Sequence, residues 1–479
     1  METWSDRVGS ELRFSQVLLV VFGLFPTVSV AEGGAVGPLR VCAANPRYFE
    51  RGDGMPILLT GSHVWYNLVD MGATDPPLEM DYDAYLRWMR GYNHNFMRMW
   101  RWELTRWKAK QTDVHIALHP WQRTGEGLAL DGKPRFDLSR FDEAYFLRLR
   151  SRVEAAGQQG IYVSIMLFEG WGLRFCENGW QSHPFHPGNN VNDTGSVLNL
   201  ADNGLSIFTL AHNEITTIQE AYVKRVIETV NDLDNVLYEI CNENTPESTE
   251  WQYHMIQFVH AYERTKPKQH PVGMTFQYEG GTNKALFESP ADWISPGREG
   301  GYRDDPPLND GGKVILNDTD HLWGVGGNQG WVWKSLLRGL NPIFMDPYGG
   351  RVLNKAFNPQ WEGIRKSMGL AREIAGKINL ARMEPARETA STGYCLQDPG
   401  NEYLVYLPFG GEVKLDLAGF SGAFRCEWFN ASTGERSSGG EVGGSGALVL
   451  RSPFGERDAL LLLERSGDVA PLEYSSGGG

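Results

Sequence analysis

The sequence predicts an α/β fold, a (β/α)8 TIM barrel followed by a small antiparallel β-sandwich. Three observations carry this. From about residue 40 to 383, apolar strand-like runs alternate with amphipathic helical runs, the pattern of a parallel sheet covered by helices. From 384 to 466 the runs shorten and Gly- and Ser-rich turns separate them. The length of 479 residues exceeds one ordinary domain and suits a barrel of about 250 residues or more with a smaller partner.

The barrel elements follow in order. PILLTGSHVW is the first strand and ends near His63 and Trp65; DYDAYLRWMRGY is the helix after it, with Asp81 at its N-cap. NFMRMWRWE is the second strand, and FDEAYFLRLRSRVEAAGQQG is an amphipathic helix closing on Gly160. IYVSIMLFEGWG is the third strand; AYVKRVIETVND is the helix leading to the fourth, NVLYEICNE. The helix EWQYHMIQFVHAYERT precedes strands five and six, HPVGMTFQY and DWISP. KVILNDTDH and PIFMDPY are strands seven and eight, with NQGWVWKSLLRGL between them and QWEGIRKSMGLAREIAGKI closing the ring. Eight strand–helix units are expected in all. In the sandwich, YLVYLP, GEVKLDL, FRCEWFN and ALLLLER are strands, and residues 467–479 form a disordered tail.

At the N-terminus, residues 1–31 read as an export signal. The apolar run Val17–Phe25 is too short to span a bilayer, Pro26 breaks it, and small residues at Ser29 and Ala31 sit at a cleavage spacing. Glu2, Asp6 and Glu11 make a poor signal start, which points to a start codon farther downstream. The mature chain is expected to be secreted or periplasmic, with no membrane insertion. A net charge of −14 argues against nucleic acid as a partner.

Cys42, Cys176, Cys241, Cys395 and Cys426 are far apart and form no CxxC pair, so they read as small buried hydrophobes. His115 and His119 in HIALH have the i, i+4 spacing of a zinc helix but lack its Glu. That stretch reads as a loop, and no metal is expected. GVGGNQG has the wrong glycine spacing for a dinucleotide loop, and no cofactor is expected.

The chemistry gathers where strands end, the place where such barrels build active sites. Strand four runs out into Asn242 and Glu243, and strand two carries Arg98. Glu169 and Trp171 follow strand three, Gln277 and Tyr278 close strand five, Asp318, Asp320 and His321 close strand seven, and Asp346 closes strand eight. A carboxyl on strand four faces one on strand seven across the barrel mouth, and glycoside hydrolysis needs two such opposed groups. Trp65, Trp100, Trp171 and Trp323 offer sugar platforms, and His63 stands at the end of strand one. Two long loops, Glu169–Asp193 and Gly297–Gly312, are placed to shape the substrate cleft.

An Arg ending strand two, Asn-Glu ending strand four and a carboxylate ending strand seven resemble the pattern of glycoside hydrolase clan A. The blocks NPRYFERGDGMPILLTGSHVWYNLVDMG, LNDTDHLWGVGGNQGWVWKS and GLNPIFMDPY resemble the secreted bacterial apiosidase-like barrels. EYLVYLP with EWFNASTGE is similar to the sandwich, named for collagen binding, that often follows them. The resemblance implies that Glu243 is the acid/base, that Asn242 binds the hydroxyl beside the anomeric centre, and that Arg98 orients the nucleophile. The clan usually has Glu at the end of strand seven. Here Asp318 aligns and Asp320 stands two places on, so Asp318 is the expected nucleophile and Asp320 the alternative. The remaining strand-end residues, His63, Trp65, Trp100, Glu169, Trp171, Gln277, Tyr278, His321, Trp323 and Asp346, are expected to bind substrate. The implied activity is retaining hydrolysis of a polysaccharide or oligosaccharide, with carboxyl groups about 5–5.5 Å apart. A catalytically inactive carbohydrate-binding protein on the same scaffold is the alternative; two intact carboxylates count against it.

Overall fold

The computed structural model describes residues 34–109, 112–196, 198, 202–350 and 360–467. The expected export signal and the tail beyond Gly467 lie outside them.

Among the described residues, eight parallel strands share one sheet: β1 (Gly61–His63), β2 (Phe96–Met99), β3 (Tyr162–Glu169), β4 (Val236–Asn242), β5 (Val272–Thr275), β6 (Trp293–Ser295), β7 (Val314–Asp318) and β8 (Asn341–Met345). Their spatial order is β1-β8-β7-β6-β5-β4-β3-β2. Every residue of every one of them is buried, the signature of strands covered on both faces.

Asn95 bridges β1 and β2, where the ring closes, with its side chain and its backbone. Asn95 Oδ1 accepts the Thr60 N–H at 2.9 Å, Asn95 Nδ2 donates to Leu58 O at 2.9 Å, and the Asn95 backbone N–H donates to Thr60 O at 3.0 Å. The approach requires glycine next door, because a Cβ on Gly61 would lie 2.1 Å from the Phe96 carbonyl oxygen. Gly61→Ala is therefore expected to destabilise the barrel by about 1–3 kcal/mol, the usual cost of overpacking. Chemical denaturation reads this directly, and an unchanged midpoint would contradict the tight seam.

The interior is layered. Leu59, Phe96, Leu237, Trp293 and Leu316 form part of an apolar cluster near the strand starts. Gly273 makes room there for the Trp293 indole, 1.9 Å from where a Cβ would sit. Side chains two residues on share the same face. That step turns Phe96 into Arg98, Leu237 into Glu239, Trp293 into Ser295 and Leu316 into Asp318. The apolar plug thus gives way to a charged layer towards the C-terminal ends of the strands.

The helices are α1 (Tyr82–Gly91), α2 (Glu143–Gln158), α3 (Trp171–Phe175), α4 (Asn213–Val230), α5 (Thr249–Glu263), α6 (Asn283–Glu288), α7 (Gln329–Leu337) and α8 (Gln360–Ala375). Asp81 caps α1 as expected, accepting from the Ala84 N–H at 2.8 Å, and Gly160 turns the chain after α2 with φ +70°.

Two departures correct the sequence reading. Only a 3-10 turn, Glu299–Gly301, lies between β6 and β7, so the sixth strand–helix unit lacks its helix among the described residues. Gly300 and Gly301, both at positive φ, and Pro306-Pro307 beyond them deny that loop any helical period. The second departure is the β2–α2 connection, which holds strands Arg106–Ala109, Thr112–Ala117, Trp121–Leu128 and Pro134–Phe141. HIALH is therefore largely strand rather than loop. His115 pairs with Gly72 on one side and Arg106 on the other, while Val114 and Ile116 alternate with it into the core.

The C-terminal strands Glu384–Pro385, Cys395–Asp398, Glu402–Leu407, Glu412–Asn430, Arg436–Arg451 and Ala459–Ser466 form one antiparallel sheet. A register shift between Leu417 and Gly422 breaks the long central hairpin, and Val413, Leu415 and Leu417 pack over Tyr403, Val405, Leu461 and Leu463 as a second layer. Alternate residues face the other way: Leu404, Tyr406, Leu460 and Leu462 join the barrel's core. Hydrogen bonds seal that junction, Trp333 Nε1 to Ala431 O at 3.1 Å and Arg338 Nη1 to Gly393 O at 2.6 Å. All five cysteines are free and buried.

Candidate active site

Arg98 organises the charged layer. Its Nε and Nη2 fork onto Glu239 at 2.8 and 2.6 Å, Nη2 also donates to Asn242 Oδ1 at 2.6 Å, and Nη1 reaches Asp318 at 3.1 Å and Asp320 at 2.7 Å. The guanidinium is buried, so these charge-assisted bonds act in a medium that screens them weakly. Glu239 was missed in the sequence. Its signal was positional, as the residue two steps along the face from apolar Leu237.

Asp318 and Asp320 differ in what they face. Asp318 is fully buried. His63 Nε2 lies 3.1 and 2.9 Å from its two oxygens, the Asp320 backbone N–H donates to Oδ1 at 3.0 Å, and Arg98 holds Oδ2. Trp100 Nε1, which can only donate, bonds His63 Nδ1 at 2.7 Å, so the histidine carries its proton on Nε2 and donates it to Asp318. Burial works to raise the Asp318 carboxyl, but His63 and Arg98 outweigh it and hold it well below the usual range. Asp320 lines a cleft of about 260 Å³ at the barrel mouth and Asp318 does not. Burial raises the Asp320 carboxyl; Arg98 opposes this and the Asp318 charge reinforces it.

Glu243 lines the same cleft. In a regular strand, successive side chains point to opposite faces, yet Asn242 and Glu243 both reach the cleft. The backbone of Glu243 explains it: φ is +44°, a left-handed conformation that breaks the alternation as the strand ends. Burial and then the Asp320 charge hold the Glu243 carboxyl well above its usual range, with Arg98 pulling the other way. Asn242 has its oxygen turned to Arg98 and, at 3.4 Å, to His321 Nε2, which leaves the amide N–H group for the cleft. Ser295 Oγ bonds the other His321 nitrogen at 2.8 Å, and burial with the nearby Arg98 pushes this imidazole down to about 3.

Of the expected platforms, Trp65, Trp100, Trp171 and Trp323 all line the cleft, and so does Tyr278. Trp102 and Arg298 also line it and were not foreseen. Trp102 lay open to reasoning, since Arg98, Trp100 and Trp102 follow at period two. Trp102 stacks on Trp100 with centroids 5.8 Å apart and meets Trp65 at 5.1 Å.

Five expected contacts fall elsewhere. His63 and Asp318 sit behind the cleft wall, bonded as described. Glu169 turns back to cap α3, accepting the Gly172 N–H at 3.0 Å. Gln277 Nε2 ties down the loop after β4 through Thr245 O at 2.9 Å and Thr249 Oγ1 at 3.0 Å. Asp346 is held in a buried fork by Arg365 of α8, both bonds 2.7 Å. Each of these five polar groups is held by partners within the protein, as burial demands.

The chain superposes on a glycoside hydrolase family 5 structure from Bacteroides vulgatus ATCC 8482 with a TM-score of 0.59 at 14% identity, covering 90% of this chain and 94% of the other. A second structure, described as a glycoside hydrolase, gives 0.56 at 12% identity, covering 90% and 98%. At these identities the likeness is one of fold: a TIM barrel of the kind these glycoside hydrolases share. Residues 91–279 match a family model described as a domain of unknown function, DUF6298. No curated protein matches the chain.

Proposed function

We propose that the protein is a retaining glycoside hydrolase in which Glu243 is the acid/base and Asp320, rather than Asp318, is the nucleophile. One observation carries this: two carboxyl groups from opposite sides of the barrel line a single aromatic-walled cleft, with Arg98 gripping one of them. In the first step an Asp320 oxygen attacks the anomeric carbon, the bond to the leaving group breaks, and the Glu243 proton passes to the leaving oxygen. In the second, the Glu243 carboxylate takes a proton from water, whose oxygen attacks the same carbon and displaces Asp320. The high carboxyl of Glu243 suits a group that must hold a proton at rest. The amide of Asn242 is placed to hold the neighbouring hydroxyl. Residues 40–383 form the catalytic unit, 384–466 are an accessory sandwich without catalytic groups, and an export signal takes the chain outside the cytoplasm.

A panel of poly- and oligosaccharides, with the product anomer followed by NMR, tests the reading. Retention is expected. An inverted product would end the double-displacement mechanism, and a chain that binds glycans without cleaving any would be a lectin on this scaffold.

Arg98→Lys keeps the charge and loses the fork. With one to two charge-assisted bonds gone, turnover is expected to fall about a hundredfold. Near-normal turnover in this variant would remove Arg98 from the mechanism.

A further inference from the structure

The aromatic wall continues beyond the cleft. The short helix α3 carries Trp171 and Phe175 one turn apart, on one side of the helix. Trp171 lines the cleft; Phe175 does not, and 41% of it is exposed. Phe175 lies 5.7 Å from Trp171 at an interplanar angle of 39°, and 5.8 Å from Tyr278 at 45°. Tyr278 comes from the far end of β5 and lines the cleft itself. The Arg174 guanidinium sits 4.8 Å over the Phe175 ring and reaches Glu279 O at 3.4 Å, joining α3 to the loop after β5. A lone exposed aromatic ring is ordinary. This one is different because it bridges two rings that already line the cleft, from the two strands that flank β4.

That placement gives it a side. β4 carries Glu243, which in the proposed mechanism protonates the leaving group, whereas Asp320 stands opposite on β7. The leaving group must therefore extend on the β4 side, towards β3 and β5. We propose that Trp171, Phe175 and Tyr278 form a second sugar subsite, which holds the ring on the leaving-group side of the scissile bond against its apolar face. This rests on the hydrolase reading and adds that the substrate is at least a disaccharide gripped on both sides of the bond.

The test pairs an oligosaccharide that the panel shows to be cleaved with the glycosyl fluoride of its non-reducing-end sugar. The fluoride has no ring on the leaving-group side. For Phe175→Ala, kcat/KM on the oligosaccharide is expected to fall about three- to tenfold, the size of one aromatic contact. The value on the fluoride should not change, and Phe175→Trp should retain activity on both. An equal loss on both probes, or no loss on the oligosaccharide, overturns the subsite. Calorimetric binding of the panel's oligosaccharides to the wild type and to Phe175→Ala separates this inference from the one beneath it. Binding weakened by the substitution without hydrolysis by the wild type removes the hydrolase reading and leaves Trp171, Phe175 and Tyr278 as a sugar-binding surface only. Hydrolysis indifferent to Phe175 does the reverse.

Discussion

Glu243→Ala protein is expected to lose about 10²–10⁴-fold in turnover on natural glycans, the usual share of a positioned acid/base. The same protein should react almost normally in its first step with sugars carrying good leaving groups, because those depart without a proton. It should then stall as the glycosyl-enzyme, because nothing deprotonates the attacking water. Azide needs no deprotonation and should restore turnover, giving a glycosyl azide of retained configuration. A burst of leaving group, the slow phase after it and its relief by azide are all read in one stopped-flow trace. A variant equally poor on activated and natural substrates, with no azide rescue, would take Glu243 out of the role. The wild-type pH profile offers an independent check. The alkaline limb belongs to loss of the Glu243 proton, and burial with the Asp320 charge moves that limb well above an ordinary glutamate. The limb should disappear in the azide-rescued variant.

Much of this was legible in the sequence because it is written in period and position. Alternation of strand and helix sufficed for the barrel, and the strand ends sufficed to place Asn242 and Glu243 at the cleft and Arg98 beside them. The clearest failures share one cause. Glu169, Gln277 and Asp346 sit at strand ends just as Glu243 does, and position alone cannot separate them. Their fate turned on partners within the protein: for Glu169 the start of α3 three residues on, and for the others side chains and carbonyls farther away along the chain, Thr245 and Thr249 for Gln277 and Arg365 for Asp346. Asp318 is held in the same way. At the end of β7 it has the place of a nucleophile, but His63 from β1 and Arg98 from β2 use up its oxygens. Such long-range satisfaction of a buried charge leaves no local signal. The β excursion after β2 is another matter, since the alternation of Val114, His115 and Ile116 was there to be read.

The largest effect is expected at Asp320. Asp320→Ala should cost on the order of 10⁴–10⁶-fold on every substrate, activated or not, as for a nucleophile acting in a unit with its partners. No leaving group compensates, since the bond to the anomeric carbon has nothing to form with. Azide can rescue this variant only by entering from the nucleophile's face, so the product's configuration should invert. Asp318→Asn is the necessary comparison. It preserves the size of the side chain and its Oδ1 can still accept the Asp320 N–H, so the protein should keep measurable turnover. It also removes a negative charge that helps to raise Asp320. The sign follows directly: the acid limb of the pH profile reports protonation of Asp320, and with Asp318 neutral that limb should move to lower pH. Were Asp318 the nucleophile, Asp318→Asn would be as dead as Asp318→Ala, Asp320→Ala would keep activity, and the acid limb would lie far below the ordinary aspartate range, where His63 and Arg98 hold Asp318. Trapping with a 2-fluoro glycosyl fluoride, followed by peptide mass spectrometry, decides between the two directly. The fluorosugar should be found on Asp320, two residues past the end of the strand, where the carboxylate is gripped by Arg98 and still open to the cleft.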